Sequence, residues 1–312
     1  MLEVRRYTSD KVCEWNRFVT QSKNGTFLFD RSFMDYHADR FTDSSLMVYR
    51  QNALYALLPA NIRGDVFVSH GGLTYGGLVM SDRCTAKGVQ ETFAAINAFL
   101  RTISVRKVVY KAVPWIYHQQ PAEEDLFALT SICQARLVIR DISSVIVSEH
   151  RIPFTESRRS GIRKAHRKGL VVCESTDFAA FWQILNDNLT SRYGVCPVHS
   201  AAELELLHSR FPDKIRLIMV FDGGHPLGGT VLFLTPQVLH VQYISATPEG
   251  KACGAVDILF DKVVNSLFAD YCYIDFGKST SNDSADLNTS LIFQKEGFGA
   301  RAVCYDTYEW TL

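Results

Sequence analysis

The sequence predicts a mixed α/β protein made of two tandem copies of one unit, each a mixed central sheet flanked by helices. Two observations carry this prediction. The first is a shared strand register. Leu46-Met47-Val48-Tyr49 and Ile218-Met219-Val220-Phe221 open the same run of apolar segments, and Met219 lies 172 residues after Met47. The next strand keeps that offset, since Val66-Phe67-Val68-Ser69-His70 lies 172 residues before Val238-Leu239-His240-Val241-Gln242. The second is the order that follows in each copy: a glycine-bearing loop (70–77 and 246–255), an amphipathic helix and a buried strand (107–111 and 273–276). A repeat of supersecondary units at fixed offset reads as a duplication. The expected domains are 1–150 and 151–312, the latter opening with a basic linker helix, and 312 residues suffice for two cores.

In order along the chain, residues 1–6 enter a strand-like segment. Ser9 to Gln21 is a capped helix with Val12, Trp15, Phe18 and Val19 on one face, ended by Lys23-Asn24-Gly25. A short helix covers Arg31 to Arg40, and strands follow near 46–50, 54–62 and 66–70. Val89, Phe93, Ile96, Leu100 and Ile103 have helical period. A strand at 107–113, a helix opening at Glu123-Glu124-Asp125 and one or two strands over 137–147 complete the first copy. The second has a strand at 170–174, helices at 178–191 and 201–211, its sheet strands, a helix over 257–268, a strand at 271–276, a short helix at 287–295 and a closing strand at 302–310.

Composition narrows the function. There are 33 basic and 33 acidic residues, so no global field attracts DNA or anionic lipid, and an anionic partner must be met by a local patch. No run approaches the ~20 apolar residues of a membrane span, and no signal peptide is evident, which places the chain in the cytoplasm as an expectation. The cysteines Cys13, Cys84, Cys133, Cys173, Cys196, Cys253, Cys272 and Cys304 are dispersed without a CxxC pair. They argue against a metal site or a disulfide framework and read mostly as buried small hydrophobes.

Three segments carry candidate chemistry. After the strand ending at Ile244-Ser245-Ala246-Thr247, a turn leads directly into a helix, an arrangement that offers backbone N–H groups to an anion. Ser245, Thr247, Gly250, Lys251 and Gly254 are its candidate donor-binding residues; the plainer alternative is a tight connection. The run 157–169 is the densest positive charge in the molecule. Arg159 and Arg163, four apart, share a helical face from which both reach a diphosphate, the alternative being a solvated charged helix. Asp275, ending a buried strand beside Gly277-Lys278-Ser279-Thr280, is a candidate to orient or deprotonate an amine, or else braces its loop. Tyr117 and His118 occupy the matching position of the first copy and are expected to face a ligand groove. Strand alternation puts His240 and Gln242 on one face and Tyr243 on the other, and a lone strand histidine reads as structural.

This order of elements resembles the GNAT acyltransferase fold, and its duplication resembles the tandem form found in the FemABX peptidyltransferase group. Leu287-Asn288-Thr289-Ser290-Leu291-Ile292-Phe293-Gln294-Lys295-Glu296-Gly297-Phe298-Gly299 is similar to the family's closing helix and Phe-Lys-x-Gly-Phe-Gly turn, with Gln294 in place of phenylalanine. Arg159 to Ala165 is similar to its basic helix, Arg-x-x-Ile-Arg-Lys-Ala. Leu73 to Val79 resembles the Fem loop Tyr-x-Pro-Arg-Gly-Pro-Val without its prolines and arginine. The resemblance implies an N-acyltransferase. Lys295 stabilises developing negative charge, Asn288 joins the donor site, and Tyr75, Arg159 and Arg163 meet the acceptor, a cell-wall or surface-glycan precursor such as a nucleotide-linked amino sugar. The donor is acetyl-CoA or another acyl-CoA, favoured by the absence of a coiled-coil arm. The alternatives are an aminoacyl-tRNA-dependent peptidyltransferase and a non-catalytic nucleotide- or partner-binding protein.

Overall fold

The computed structural model describes residues 2–193, 197, 199–280 and 286–312. The chain divides into two compact units, residues 1–141 with 304–312, and residues 142–303. The division falls at Asp141/Ile142, against the expected 150/151, and the last nine residues return to the first unit.

The first unit runs β1 (Leu2–Arg6), α1 (Val12–Gln21), α2 (Arg31–Met34), β2 (Leu46–Arg50), β3 (Ala53–Leu58), β4 (Asn61–Arg63), β5 (Val66–Val68), β6 (Val79–Met80), α3 (Ala86–Thr102), β7 (Lys107–Lys111) and α4 (Glu124–Ser131), and β8 (Arg136–Val147) leaves it. Strands β1-β2-β3-β6 form one antiparallel sheet. β5 pairs parallel with β7, Val66 opposite Lys107. The apolar period of α3 buries Val89, Phe93, Ile96 and Leu100, and Thr85 caps it by accepting from the Gly88 N–H.

The second unit holds α5 (Glu156–Lys168), β9 (Val171–Ser175), α6 (Phe178–Tyr193), α7 (Ala201–Arg210), β10 (Ile215–Asp222), β11 (His225–Leu234), β12 (Val238–Ala246), α8 (Pro248–Cys253), α9 (Ala255–Lys262), β13 (Tyr273–Lys278), α10 (Thr289–Glu296) and the start of β14 (Arg301–Thr311). α9 passes into a π-helical turn, Val263–Leu267. Strands β9 to β12 pair antiparallel in sequence, and β12 pairs parallel with β13, Val238 opposite Tyr273. Val66 and Val238, 172 residues apart, thus hold the same place in two equivalent parallel pairs.

The closing strands are exchanged. β8, last strand of the first copy, pairs antiparallel with β13, and β14, last strand of the second, pairs antiparallel with β7. Each parallel pair is therefore covered on its free edge by a strand from the other copy, which removes an exposed β edge from both. Trp310 of β14 illustrates the fit: it is buried in the first unit's core and donates its indole N–H to Asn97 Oδ1 at 3.1 Å.

The cysteine expectation needs correcting. Cys84, Cys133 and Cys253 are buried, while Cys13, Cys173, Cys272 and Cys304 are exposed; Cys196 lies outside the described residues. Strand alternation turns Cys304 of β14 outward between buried Val303 and Tyr305. Among the described residues no helix is long and apolar enough to cross a membrane.

Candidate active site

The parallel ladder between β12 and β13 ends at His240 opposite Asp275, although β12 continues to Ala246. Beyond that point the second unit has a cleft of about 520 Å³ lined by Ile244, Ser245, Ala246, Lys251, Val256, Asn288, Leu291 and Gln294, with Leu185, Asn188 and Leu189 of α6. Its polar wall is one hydrogen-bonded chain: Lys251 Nζ donates to Asn188 Oδ1, and Asn188 Nδ2 donates to Ser245 Oγ at 3.2 Å. Asn288 caps α10, its Oδ1 accepting from the Leu291 N–H at 3.0 Å. Ser245, Lys251 and Asn288, expected at the donor site, therefore converge on this cleft.

The glycines of the turn do something else. Thr247 caps α8 by accepting the Gly250 N–H at 2.9 Å, which consumes a donor expected to face an anion. A Cβ on Gly250 would lie 2.3 Å from Leu227 O, and one on Gly254 (φ +85°) would lie 2.3 Å from Gly161 O. Both missing side chains face protein, letting α8 sit on β11 and α9 on α5.

Asp275 is wholly buried. Its Oδ1 accepts from Ser143 Oγ and from the Gly277 N–H at 2.9 Å, and its Oδ2 lies 2.9 Å from His240 Nδ1. Lys295 is 6% exposed, and its ammonium donates to Gly277 O (2.8 Å), Lys278 O (2.8 Å) and Ser279 Oγ (2.9 Å). Burial pulls its pKa down to about 8, against the pull of Asp275 the other way. Since three protons meet three acceptors, a bond from Lys295 to an oxyanion requires exchange of one of them. On β12, Leu232 lies opposite Val241 and Val231 opposite Tyr243, so Gln242 is the extra residue of a β-bulge. The bulge resets the alternation: Tyr243 shares a face with His240, correcting the expectation from simple alternation. Tyr243 OH lies 2.5 Å from His199 Nδ1, and burial pushes its pKa up to about 12.

On α5, Arg159 and Arg163 share a face as expected, where both reach Glu156, Arg159 Nε at 3.1 Å. They are 54% and 55% exposed. The inward-facing arginine is Arg158, which pairs with Asp257 at 2.7 Å and lies over the Phe298 ring at 5.1 Å.

Residues 156–283 match the acetyltransferase (GNAT) domain family. The second unit carries a GNAT domain. The whole chain is similar in structure to FemX, with a TM-score of 0.68 at 10% identity over 99% of this chain and 97% of that one. It is also similar to the C-terminal domain of a putative lysylphosphatidylglycerol synthetase from Agrobacterium fabrum (TM-score 0.61, 11% identity, 96% and 91% covered). A tandem GNAT protein from the clavulanic acid biosynthesis pathway gives a TM-score of 0.51 at 10% identity, with 100% and 98% covered. No curated protein matches in sequence. At such identities the structural likenesses establish the fold, a tandem GNAT architecture spanning the chain. The GNAT domain itself implies transfer of an acyl group from an activated donor.

In the second unit the Gly-Phe-Gly turn after Lys295, which follows the matched residues, is a packing device. Phe298 stacks on Phe276 with centroids 5.8 Å apart, and a Cβ on Gly299 (φ +83°) would lie 2.1 Å from Ile152 O. Gln294, where the family has phenylalanine, lines the cleft. In the first unit Tyr75 and Tyr117 come together, centroids 4.6 Å apart, but as core residues each 2% exposed. Tyr75 OH donates to Thr26 Oγ1, and Tyr117 OH accepts from Tyr305 OH. The expectation that they line a groove gives way to a packing role, because the two rings pack on each other and Tyr75 packs edge-on against Phe29. His118 Nε2 lies 3.1 Å from Val113 O, and burial lowers its pKa to about 4, so it is neutral at pH 7. Sequence reasoning read His240 as structural and did not single out Asn188 or Arg158. The signal for His240 was the register itself, which sets it opposite Asp275. Among the described residues no group of three His, Cys, Asp or Glu side chains forms a metal cluster.

Proposed function

We propose that the chain is an N-acyltransferase that moves an acyl group from an activated donor, acyl-CoA in the first reading, to an amine of an anionic acceptor such as a cell-wall or surface-glycan precursor. The observation carrying this reading is the GNAT-domain cleft where β12 and β13 part. There Ser245, Asn188 and Lys251 form a polar wall beside the apolar Leu185, Leu189 and Val256, which suits a donor with a polar portion and an aliphatic arm. In this reading Lys251, Ser245 and Asn288 contact the donor, Thr247, Gly250 and Gly254 hold the turn that shapes the cleft, and Lys295 braces the β13 terminus against charge developing beside it. Arg159 and Arg163 hold the acceptor's phosphates once an anion displaces Glu156.

A second reading draws on the likeness to a lysylphosphatidylglycerol synthetase domain: the transferred group is an aminoacyl group carried by charged tRNA. Thermal-shift measurements with acetyl-CoA, CoA, UDP-glucosamine and charged tRNA separate the two, because a ligand that binds only the folded state raises Tm. A rise with CoA and acetyl-CoA supports the first reading, and a rise with charged tRNA alone supports the second. No rise with any of them, beside binding of a nucleotide sugar without turnover, supports a non-catalytic role.

A further inference from the structure

The second unit has another cavity, of about 300 Å³, which shares no lining residue with the donor cleft and meets the function proposed above only at Arg159. Its floor is apolar: Ile146, Val264 and Phe298 are buried, and Phe154 packs edge-on against Phe298 with ring centroids 5.3 Å apart. Its polar groups form one row. Arg151 Nη1 donates to Asn265 Oδ1 at 2.6 Å, Arg151 Nη2 donates to Val264 O at 2.9 Å, and Asn265 Nδ2 donates to Asp261 Oδ1 at 2.9 Å. The row is built on the π-helical turn Val263–Leu267, in which the Phe268 N–H bonds back to Val263 O at 3.1 Å and the next carbonyl, Val264 O, is taken by Arg151. Such turns inside α-helices recur at functional sites.

Charge selects the ligand. Both of Arg151's bonds run to neutral oxygens, so its guanidinium is held in place without being neutralised, and Asp261 likewise accepts from a neutral amide. The Asn265 amide stands between them with both of its ends engaged, which fixes the cation and the anion one amide apart. Arg159, the remaining charged residue of the wall, is paired with Glu156 at 3.0 Å. A lone anion is repelled by Asp261 and a lone cation by Arg151. A ligand carrying an ammonium and a carboxylate on one short unit, beside an apolar group, satisfies all three surfaces. A free α-amino acid fits that description, whereas a peptide carries the two charges at opposite ends. The volume lies at the lower end of small-ligand sites, as a single amino acid requires.

We propose that this cavity binds a free α-amino acid with a large apolar side chain, its carboxylate on Arg151, its ammonium on Asp261 and its side chain against Phe154 and Phe298. The site stands apart from the acyltransferase reading and holds or fails independently of it.

The test titrates the full chain calorimetrically with L-phenylalanine, with phenylpropanoate, which lacks the ammonium, and with phenethylamine, which lacks the carboxylate. L-Phenylalanine is expected to bind, and each truncated form to bind roughly 10–100-fold more weakly, the worth of one hydrogen-bonded charge. Asp261→Asn, which keeps an acceptor for Asn265 Nδ2, is expected to remove the preference over phenylpropanoate and to spare that over phenethylamine. Arg151→Gln is expected to do the reverse. Thermal denaturation checks that both variants fold; if Arg151→Gln does not, Asp261→Asn carries the test. Absence of L-phenylalanine binding by the native protein overturns the proposal and leaves Arg151 as a brace of the π-helical turn. Equal binding of all three ligands, or a preference over phenylpropanoate that survives in Asp261→Asn, overturns it as well.

Discussion

The sharpest test of the site's electrostatics is the linkage of Lys295 to stability. Burial holds its folded pKa near 8, against an ordinary 10.5. Between those values the unfolded chain holds a proton that the folded chain has released, so stability gained from this group rises with pH across that window. Each pKa unit is worth about 1.4 kcal/mol, and between pH 7.5 and 10 the two titration curves separate by roughly 2.5 kcal/mol. Other alkaline groups, notably the buried tyrosines, titrate in the same range and mask this in the native protein alone. The informative quantity is therefore the difference between native protein and Lys295→Met, measured by urea unfolding at pH 7.5, 8.5, 9.2 and 10. That difference is expected to move by roughly 2–3 kcal/mol in favour of the native protein as pH rises, whatever its value at pH 7.5, where the variant loses three hydrogen bonds but also an ammonium that was costly to bury. A difference independent of pH would refute the reasoning, because it would mean that the ammonium titrates normally and is better solvated than its 6% exposure implies.

Gly254→Ala is expected to destabilise the second unit by about 2–4 kcal/mol, combining left-handed strain with a clash against Gly161 O. Gly169→Ala, at φ +77° with open space around it, isolates the strain alone at about 1–2 kcal/mol, and equal losses in the two variants would remove the helix-contact argument. In the first unit, burial raises Asp125 to about 6 although Tyr110 OH donates to it, so its contribution to stability falls as pH rises from about 4 to about 6. Tyr110→Phe, which also strips the Leu78 N–H of its acceptor, is expected to cost about 1–3 kcal/mol and to cost more at pH 7.5 than at pH 5, checked by denaturation at both. Arg159→Ala and Arg163→Ala are expected to change stability by less than about 0.5 kcal/mol, as exposed pairs do, while abolishing thermal protection by UDP-glucosamine and sparing that by acetyl-CoA.

Much of the architecture was legible along the chain because its signals are local. The apolar period of α3, the stop at Lys23-Asn24-Gly25 and the 172-residue offset each depend on near neighbours and on the order of elements. Ser245, Lys251 and Asn288 reach one cleft because the strand-to-helix turn and the capped closing helix were both recognisable from residue type and spacing. Three features stayed hidden. Which of Arg158, Arg159 and Arg163 turns inward depends on where α9 offers Asp257, a matter of helix phase against a partner 99 residues away. The bulge at Gln242 adds one residue to one strand of a ladder and reverses every facing beyond it, and nothing in the pattern of β12 marks it. The glycines of the donor turn look like phosphate-binding glycines in sequence, and only their neighbours, Leu227 O and Gly161 O, show that they admit backbone instead.

The sequence by itself determined that two equivalent halves exist, where their strands and helices lie, and that one basic helix separates them, since periodicity and offset are properties of the chain read in one dimension. Tertiary structure alone decided that the halves trade their final strands, β8 pairing with β13 and β14 with β7, and that His240 meets Asp275. The physical reason is that a strand's pattern states which faces are buried but leaves its hydrogen-bonding edges anonymous: backbone N–H and C=O groups are the same at every residue, so the partner they take is settled by packing across the whole fold.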